Sequence, residues 1–192
     1  MEKYEKMKEE IKLIIDKYFI SFNAKTYIEE NEEDDILMQI FHISSKLKKE
    51  NKQYWSRELG MIWQYLLTTL FMIYSPSKFK PSYRIGKDEP FDLIYGKYAI
   101  DTKYRIGSGD AGTLKKFKQY GKILNKMGYT PLLLILRNDN LPAAITACEH
   151  GGWQIKTGED VFDFIKNELE IDFHTFLKDE FANGKYKIIR EE

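Results

Sequence analysis

The chain has a single cysteine, Cys148, so no internal disulfide framework can staple it, and a reducing, cytoplasmic setting is expected. It has no excess of charge of either sign: 30 Lys and Arg stand against 30 Asp and Glu. That excludes a polybasic, tail-type binder of nucleic acid, but not a protein that segregates its lysines on one face. Long apolar runs are missing too. LLLIL at 132–136 is far too short to span a bilayer, so no membrane partner is expected. The opening MEKYEKMKEEIK is charged and lacks the apolar stretch of a signal peptide. The three histidines, His42, His150 and His174, are too scattered for metal-ligand spacing. Ser108 has no histidine base near it in sequence and Cys148 lies in an apolar segment, so covalent catalysis has no support. Internal repeats, low-complexity tracts and linkers are absent from the sequence.

What is present is an ordinary globular composition, rich in tyrosine and phenylalanine, in a chain of 192 residues, enough for one domain with a sizeable core. Residues 2–22 carry a helical pattern, with Ile11, Ile14, Ile15, Tyr18 and Phe22 on one side. The acidic run EENEEDD leads into a second helix through about Lys49, with Ile36, Ile40, Phe41 and Leu47 inward. A third helix is expected over Tyr54–Tyr74, from Leu59, Ile62, Trp63, Leu66 and Leu70, and Ser75-Pro76-Ser77 ends it. The period then changes to that of strands, at Ser82–Ile85, Phe91–Tyr95 and Tyr98–Tyr104. A glycine-rich loop opens a helix over about Thr113–Met127, and PLLLILR follows as a buried, parallel strand. A short helix near Leu141–Glu149, a strand near Trp153–Lys156 and helices from about Gly158 and Asp172 complete the chain. The expected fold is α/β, a mixed sheet with helices on both faces.

The chemistry concentrates in EPFDLIYGKYAIDTKYR, residues 89–105. A two-residue turn at Gly96-Lys97 sets the register of a hairpin, with Tyr95 opposite Tyr98, Ile94 opposite Ala99, Leu93 opposite Ile100 and Asp92 opposite Asp101. Lys103 joins the two aspartates on one side, and Phe91, Leu93, Tyr95, Tyr98, Ile100 and Tyr104 form a core face on the other. Opposed residues have Cβ atoms about 5 Å apart, so paired carboxylates repel unless a cation sits between them. Two hard carboxylates suit Mg²⁺, which activates water and polarises a phosphoryl oxygen, and a neighbouring lysine can offset the charge that builds on phosphorus. The bland alternative is a solvated hairpin face with a weak Asp101–Lys103 ion pair.

EPFD…IDTK, on a meander after a long helix and before an α–β unit, resembles the PD-(D/E)XK nucleases over about residues 55–137. YRIGSGDAGTLKKFKQYG and RNDNLPAAITACEHGGW resemble the ApaLI-type type II restriction endonucleases. The resemblance implies a restriction-endonuclease-like core at 51–192 with an N-terminal helical extension at 1–50, expected to form one structural domain. It implies Mg²⁺-dependent, site-specific cleavage of double-stranded DNA by a homodimer, partnered by a cognate DNA methyltransferase, with GTGCAC as the implied site. Asp92 and Asp101 match the two acidic positions and Lys103 the motif lysine, while Phe91 interrupts the literal Pro-Asp pair. Many such nucleases draw another acid from the helix before the meander. Glu58, in WSRELGMIW, either fills that role or is a solvent-facing glutamate.

GSGDAG, from Gly107 to Gly112, is a literal GxGxxG between a strand and a helix, as a dinucleotide fingerprint requires. A Rossmann first strand is apolar on both faces, however, and AIDTKYRI is not. The glycines read better as a bare loop that DNA approaches, flanked by Arg105 and Ser108, with the helix N-terminus offering amides to a phosphate. Lys115, Lys116 and Gln119 in the first turns are placed for phosphates, whereas Lys118, Lys122 and Lys126 read as a solvated face. Arg137, Asn138 and Asn140 follow a strand and are candidates to read base edges, with ordinary loop roles as the alternative. A junction resolvase, a dinucleotide-binding protein and a silent DNA-binding module are the rival functions.

Overall fold

The change of hydrophobic period at Ser75 marks the switch from helices to a sheet in the computed structural model, which describes residues 11–17, 19–20 and 26–188. Residues 11–17 and 19–20 are helical. In chain order there follow β1 (Thr26–Tyr27), α1 (Ile36–Phe41), α2 (Ser45–Glu50), α3 (Lys52–Tyr74), β2 (Phe79–Pro81), β3 (Leu93–Tyr95), β4 (Tyr98–Lys103) and β5 (Ser108–Gly109). Then come α4 (Ala111–Lys126), β6 (Thr130–Ile135), α5 (Pro142–His150), β7 (Gln154–Thr157), α6 (Glu159–Leu169) and α7 (Phe173–Phe181). Five strands form a mixed sheet in the order β2-β3-β4-β6-β7, antiparallel through the β2-β3-β4 meander and parallel from β4 through β6 to β7. Crossover helices α4 and α5 make those parallel neighbours possible. β1 and β5 pair separately.

Alternating side chains of the sheet feed two cores. Leu93, Tyr95, Ile100, Tyr104, Leu132 and Leu134 pack with α1, α3, α6 and α7. Ile94, Ala99, Leu133 and Ile135 pack on the opposite side with Leu124 of α4 and Ala144 and Cys148 of α5. A continuous apolar run such as LLLI is what a strand covered on both faces needs. Trp63, wholly buried, pins α3 to the sheet by donating its indole N–H to Leu134 O at 3.2 Å.

Two expectations need correction. The second helix is two helices: His42 closes α1 at φ 54, and the Ser44 hydroxyl accepts the Leu47 N–H at 3.1 Å to start α2. The first strand of the meander is Phe79–Pro81 rather than Ser82–Ile85, with Phe79 opposite Tyr95 and Pro81 opposite Leu93. Pro81 is tolerated because β2 is an edge strand, where a missing N–H costs no ladder bond. Ile11, Ile14 and Ile15 of the first expected helix are exposed, whereas Tyr18 and Phe22 lie outside the described residues. Ile36, Leu37 and Ile40 of α1 share one core with Leu59 and Trp63 of α3, so this part of residues 1–50 is built into the fold. Among the described residues no helix is long and apolar enough to cross a membrane.

Candidate functional site

The hairpin has the expected register at Tyr95–Tyr98, Ile94–Ala99 and Leu93–Ile100, with Gly96 at φ 54 in the turn. One step further the ladder is broken. The Asp92 N–H donates to Ile100 O at 2.8 Å, although Leu93 already stands opposite Ile100. Two residues facing one constitute a β-bulge, which re-aims the extra side chain. The bulge shifts the alternation by one residue, so Phe91 packs with Ile94 and Ala99 and not on the Leu93–Tyr95 side.

The re-aimed Asp92 carboxylate takes over a rung of the ladder. Its Oδ2 accepts the Thr102 N–H at 2.7 Å and the Thr102 hydroxyl at 2.6 Å, and its Oδ1 accepts from Gln64 Nε2 at 2.7 Å. Oδ2 thus spends both lone pairs on Thr102, so Asp92 is held in place and its remaining ligand capacity rests on Oδ1.

Asp101 lies beside it, in hydrogen-bond contact with Asp92, and is 9% exposed. Lys103 Nζ donates to Asp101 Oδ1 at 2.6 Å and to Thr102 O at 3.1 Å. Burial pushes the Asp101 carboxyl up to about 6; Lys103 pulls it down and Asp92 pushes it further up. Burial pulls the Lys103 amine down, but Asp101 and Asp92 outweigh it and hold it above the usual lysine range. The result is an Asp101 carboxyl that holds its proton below about pH 6, next to a firmly cationic amine. Cys148 of α5 borders the cluster, its thiol pushed up to about 12 chiefly by burial, so it stays protonated and is no nucleophile.

Asp92, Asp101 and Lys103 are thus brought together, as the sequence indicated, and Gln64 and Thr102 join them. Glu58 is paired with Arg57, Oε1 lying 2.8 Å from the guanidinium, and its side chain is 34% exposed. It sits six residues before Gln64, about 9 Å along the helix axis. The donor set of two carboxylates backed by an amide and a main-chain carbonyl fits a hard divalent cation, which would relieve the carboxylate repulsion and replace the Asp101 proton. Among the described residues no three His, Cys, Asp or Glu side chains group into a metal cluster, so such a cation would keep several waters.

Of the candidate base readers, Arg137 and Asn140 are buried in structural roles, whereas Asn138 is exposed. Arg137, 5% exposed, donates to Asp139 Oδ1 at 2.9 Å, Asp35 Oδ2 at 3.0 Å and Glu33 O at 2.9 Å. Asn140 accepts the Ile106 N–H at 2.8 Å and donates to Arg137 O at 2.6 Å. Arg105 is spent on Asp139 O and Ile28 O, both at 2.8 Å. Lys48, Glu30, Tyr104 and Asp35 extend the same buried knot. An arginine ending a strand buried on both faces needs counter-ions, and the run EENEEDD supplies them. That was the signal the sequence held and the spacing did not reveal.

The glycine loop is occupied as well. The Arg105 guanidinium lies 2.0 Å from where a Gly107 Cβ would sit, and β5 is paired with β1. The Asp110 carboxylate caps α4 by accepting the Thr113 N–H at 2.9 Å, so the amides expected to meet a phosphate already have an anion. Ser108, Lys115, Lys116 and Gln119 remain exposed. A cavity of ≈ 390 Å³ lies elsewhere, at the carboxyl ends of β6 and β7. Glu33, Asp34, Asp139, Glu159, Asp163 and Asp172 line it, which makes it hostile to phosphate. No family model, curated protein or solved structure matches the chain.

Proposed function

We propose that this chain is a Mg²⁺-dependent nuclease of the PD-(D/E)XK kind, hydrolysing phosphodiester bonds in double-stranded DNA. The observation that carries the reading is the meeting of Asp92, Asp101 and Lys103 at a bulge in the meander. The frame supports it: a long helix, three antiparallel strands, a crossover helix and a strand parallel to β4 are the order in which such residues are expected.

Asp92 and Asp101 would hold the cation, and Gln64 and Thr102 keep Asp92 aimed. When bound, the cation supplies a polarised phosphoryl oxygen and a water acidic enough to attack near neutral pH. Asp101 releases its proton as pH rises through about 6, which completes the ligand pair. Lys103 remains charged, oriented by Asp101 and by Thr102 O, and opposes the negative charge that grows on the phosphate oxygens.

Within this reading the narrower proposal is a type II restriction endonuclease acting in the cytoplasm beside a cognate methyltransferase, with GTGCAC as the implied site. A two-fold DNA site is matched by a homodimer. Exposed apolar residues at Leu13, Ile14, Ile15, Phe19 and Ile20 offer a surface that a second copy could cover. Incubating the protein with supercoiled plasmid and Mg²⁺ and sequencing the ends tests the proposal. Discrete fragments with one terminal sequence support restriction, cleavage confined to four-way junctions means a resolvase, and no cleavage in Mg²⁺ rejects the nuclease reading.

A further inference from the structure

The segment between Pro81 and Pro90 is a small hairpin that the site described above does not use. Ile85 and Asp88 exchange main-chain hydrogen bonds of 2.8 and 3.3 Å around a Gly86-Lys87 turn, with Gly86 at φ 67. A positive φ at that corner suits glycine, and the two main-chain hydrogen bonds close the turn at its base.

Both flanks of the arm are fastened beside the carboxylate pair. Tyr83 packs edge-on against Phe91, ring centroids 4.9 Å apart, and Phe91 immediately precedes Asp92. On the other flank burial holds the Tyr120 hydroxyl of α4 above the usual tyrosine range, and Asp88 and Asp101, both within electrostatic reach of it, add to the effect. Arg84 and Lys87 near the tip are exposed, as are Lys115 and Lys116 in the first turns of α4. Their contacts with acids are loose: Arg84 lies 3.6 Å from Glu89 with its side chain 75% exposed, and Lys116 lies 3.9 Å from Asp88. Exposed pairs of that kind contribute little, so these cations can be recruited by another anion.

Resting on the nuclease reading, the geometry points to residues 82–89 as a DNA-gripping arm whose Arg84 and Lys87 contact backbone phosphates beside the one cleaved at Asp92 and Asp101. Phosphate contacts fix register without reading sequence, and the anchors at Phe91 and Tyr120 transmit that register to the carboxylates. The arm supplies phosphate contacts that Arg105, held by Asp139 O and Ile28 O, is not free to make.

The test is fluorescence anisotropy of a labelled duplex in EDTA across a salt series, where binding is measured without cleavage. R84A/K87A should weaken binding and reduce the slope of log K against log[salt] by about 2, one unit for each lost phosphate contact, at an unchanged melting temperature. K122A/K126A, which removes two exposed charges farther along α4, should leave the slope at the wild-type value. Wild-type slope and affinity in R84A/K87A would overturn the arm while leaving the nuclease reading in place. An equal loss in K122A/K126A would reduce the effect to general charge and also overturn it. Failure of the wild type to bind duplex at all would remove both.

Discussion

Replacing Asp101 by asparagine separates the cost of the carboxylate pair from its use. Burial raises the Asp101 carboxyl from its ordinary 3.8 to about 6, with Lys103 opposing and Asp92 adding. A carboxyl raised in the folded state favours folding when protonated. The associated stability is therefore fully present below about pH 3.8, and it is lost as pH rises through about 6. At 1.36 kcal/mol per pK unit the loss amounts to about 3 kcal/mol at most. Asparagine, close in shape to the protonated acid, removes that dependence. In EDTA, Asp101→Asn should melt with the wild type near pH 4. By pH 8 it should melt higher, by roughly 6–12 °C for a chain of this size. Mg²⁺ at a hundredfold excess over its Kd should restore about 2.7 kcal/mol to the wild type at pH 8 and little to the variant. The assay is a thermal melt of both proteins from pH 4 to pH 8.5, with and without metal. A melting difference that stays flat across pH would refute the account of a strained carboxylate pair.

Other perturbations follow the same geometry. Lys103→Ala should cost a hundredfold to a thousandfold in single-turnover cleavage while the Mg²⁺-induced rise in melting temperature survives; loss of that rise would make Lys103 a structural partner instead. Gln64→Ala removes the donor on Asp92 Oδ1 and should slow cleavage about tenfold and lower stability by about 1 kcal/mol in urea melts. Gln64→Glu brings a third carboxylate to the pair and should tighten Mg²⁺ binding in calorimetry at pH 8. Asp35→Ala strips Arg137 and two helix N–H groups of a buried acceptor and should cost about 3–5 kcal/mol; a loss below about 1 kcal/mol would mean that the knot is not structural.

The hairpin register was legible because Gly96-Lys97 and the alternation of LIY with YAI leave few ways to pair the strands. The parallel β4–β6 pairing was legible because a helix-long segment separates two apolar runs. The bulge was not, since one extra residue leaves no mark on composition, and it moved Phe91 to the other core. Gln64 was hidden among the sheet-facing residues of α3, where attention to acidic residues singled out Glu58 instead. Arg105, Arg137 and Asn140 look like surface loop residues in a one-dimensional reading. Their burial depends on the distant residues 28–35 folding over them. Arg84, exposed and close in sequence to the site, was passed over because a strand was expected at Ser82–Ile85.

Cleavage of a plasmid in Mg²⁺ by the wild type, Asp101→Asn and Lys103→Ala, side by side and at matched folded fraction, is the most direct test. The account predicts linear or discrete products from the wild type only, with both variants folded and inactive. Full cleavage by Asp101→Asn, or none by the wild type across pH 6 to 9, would contradict it.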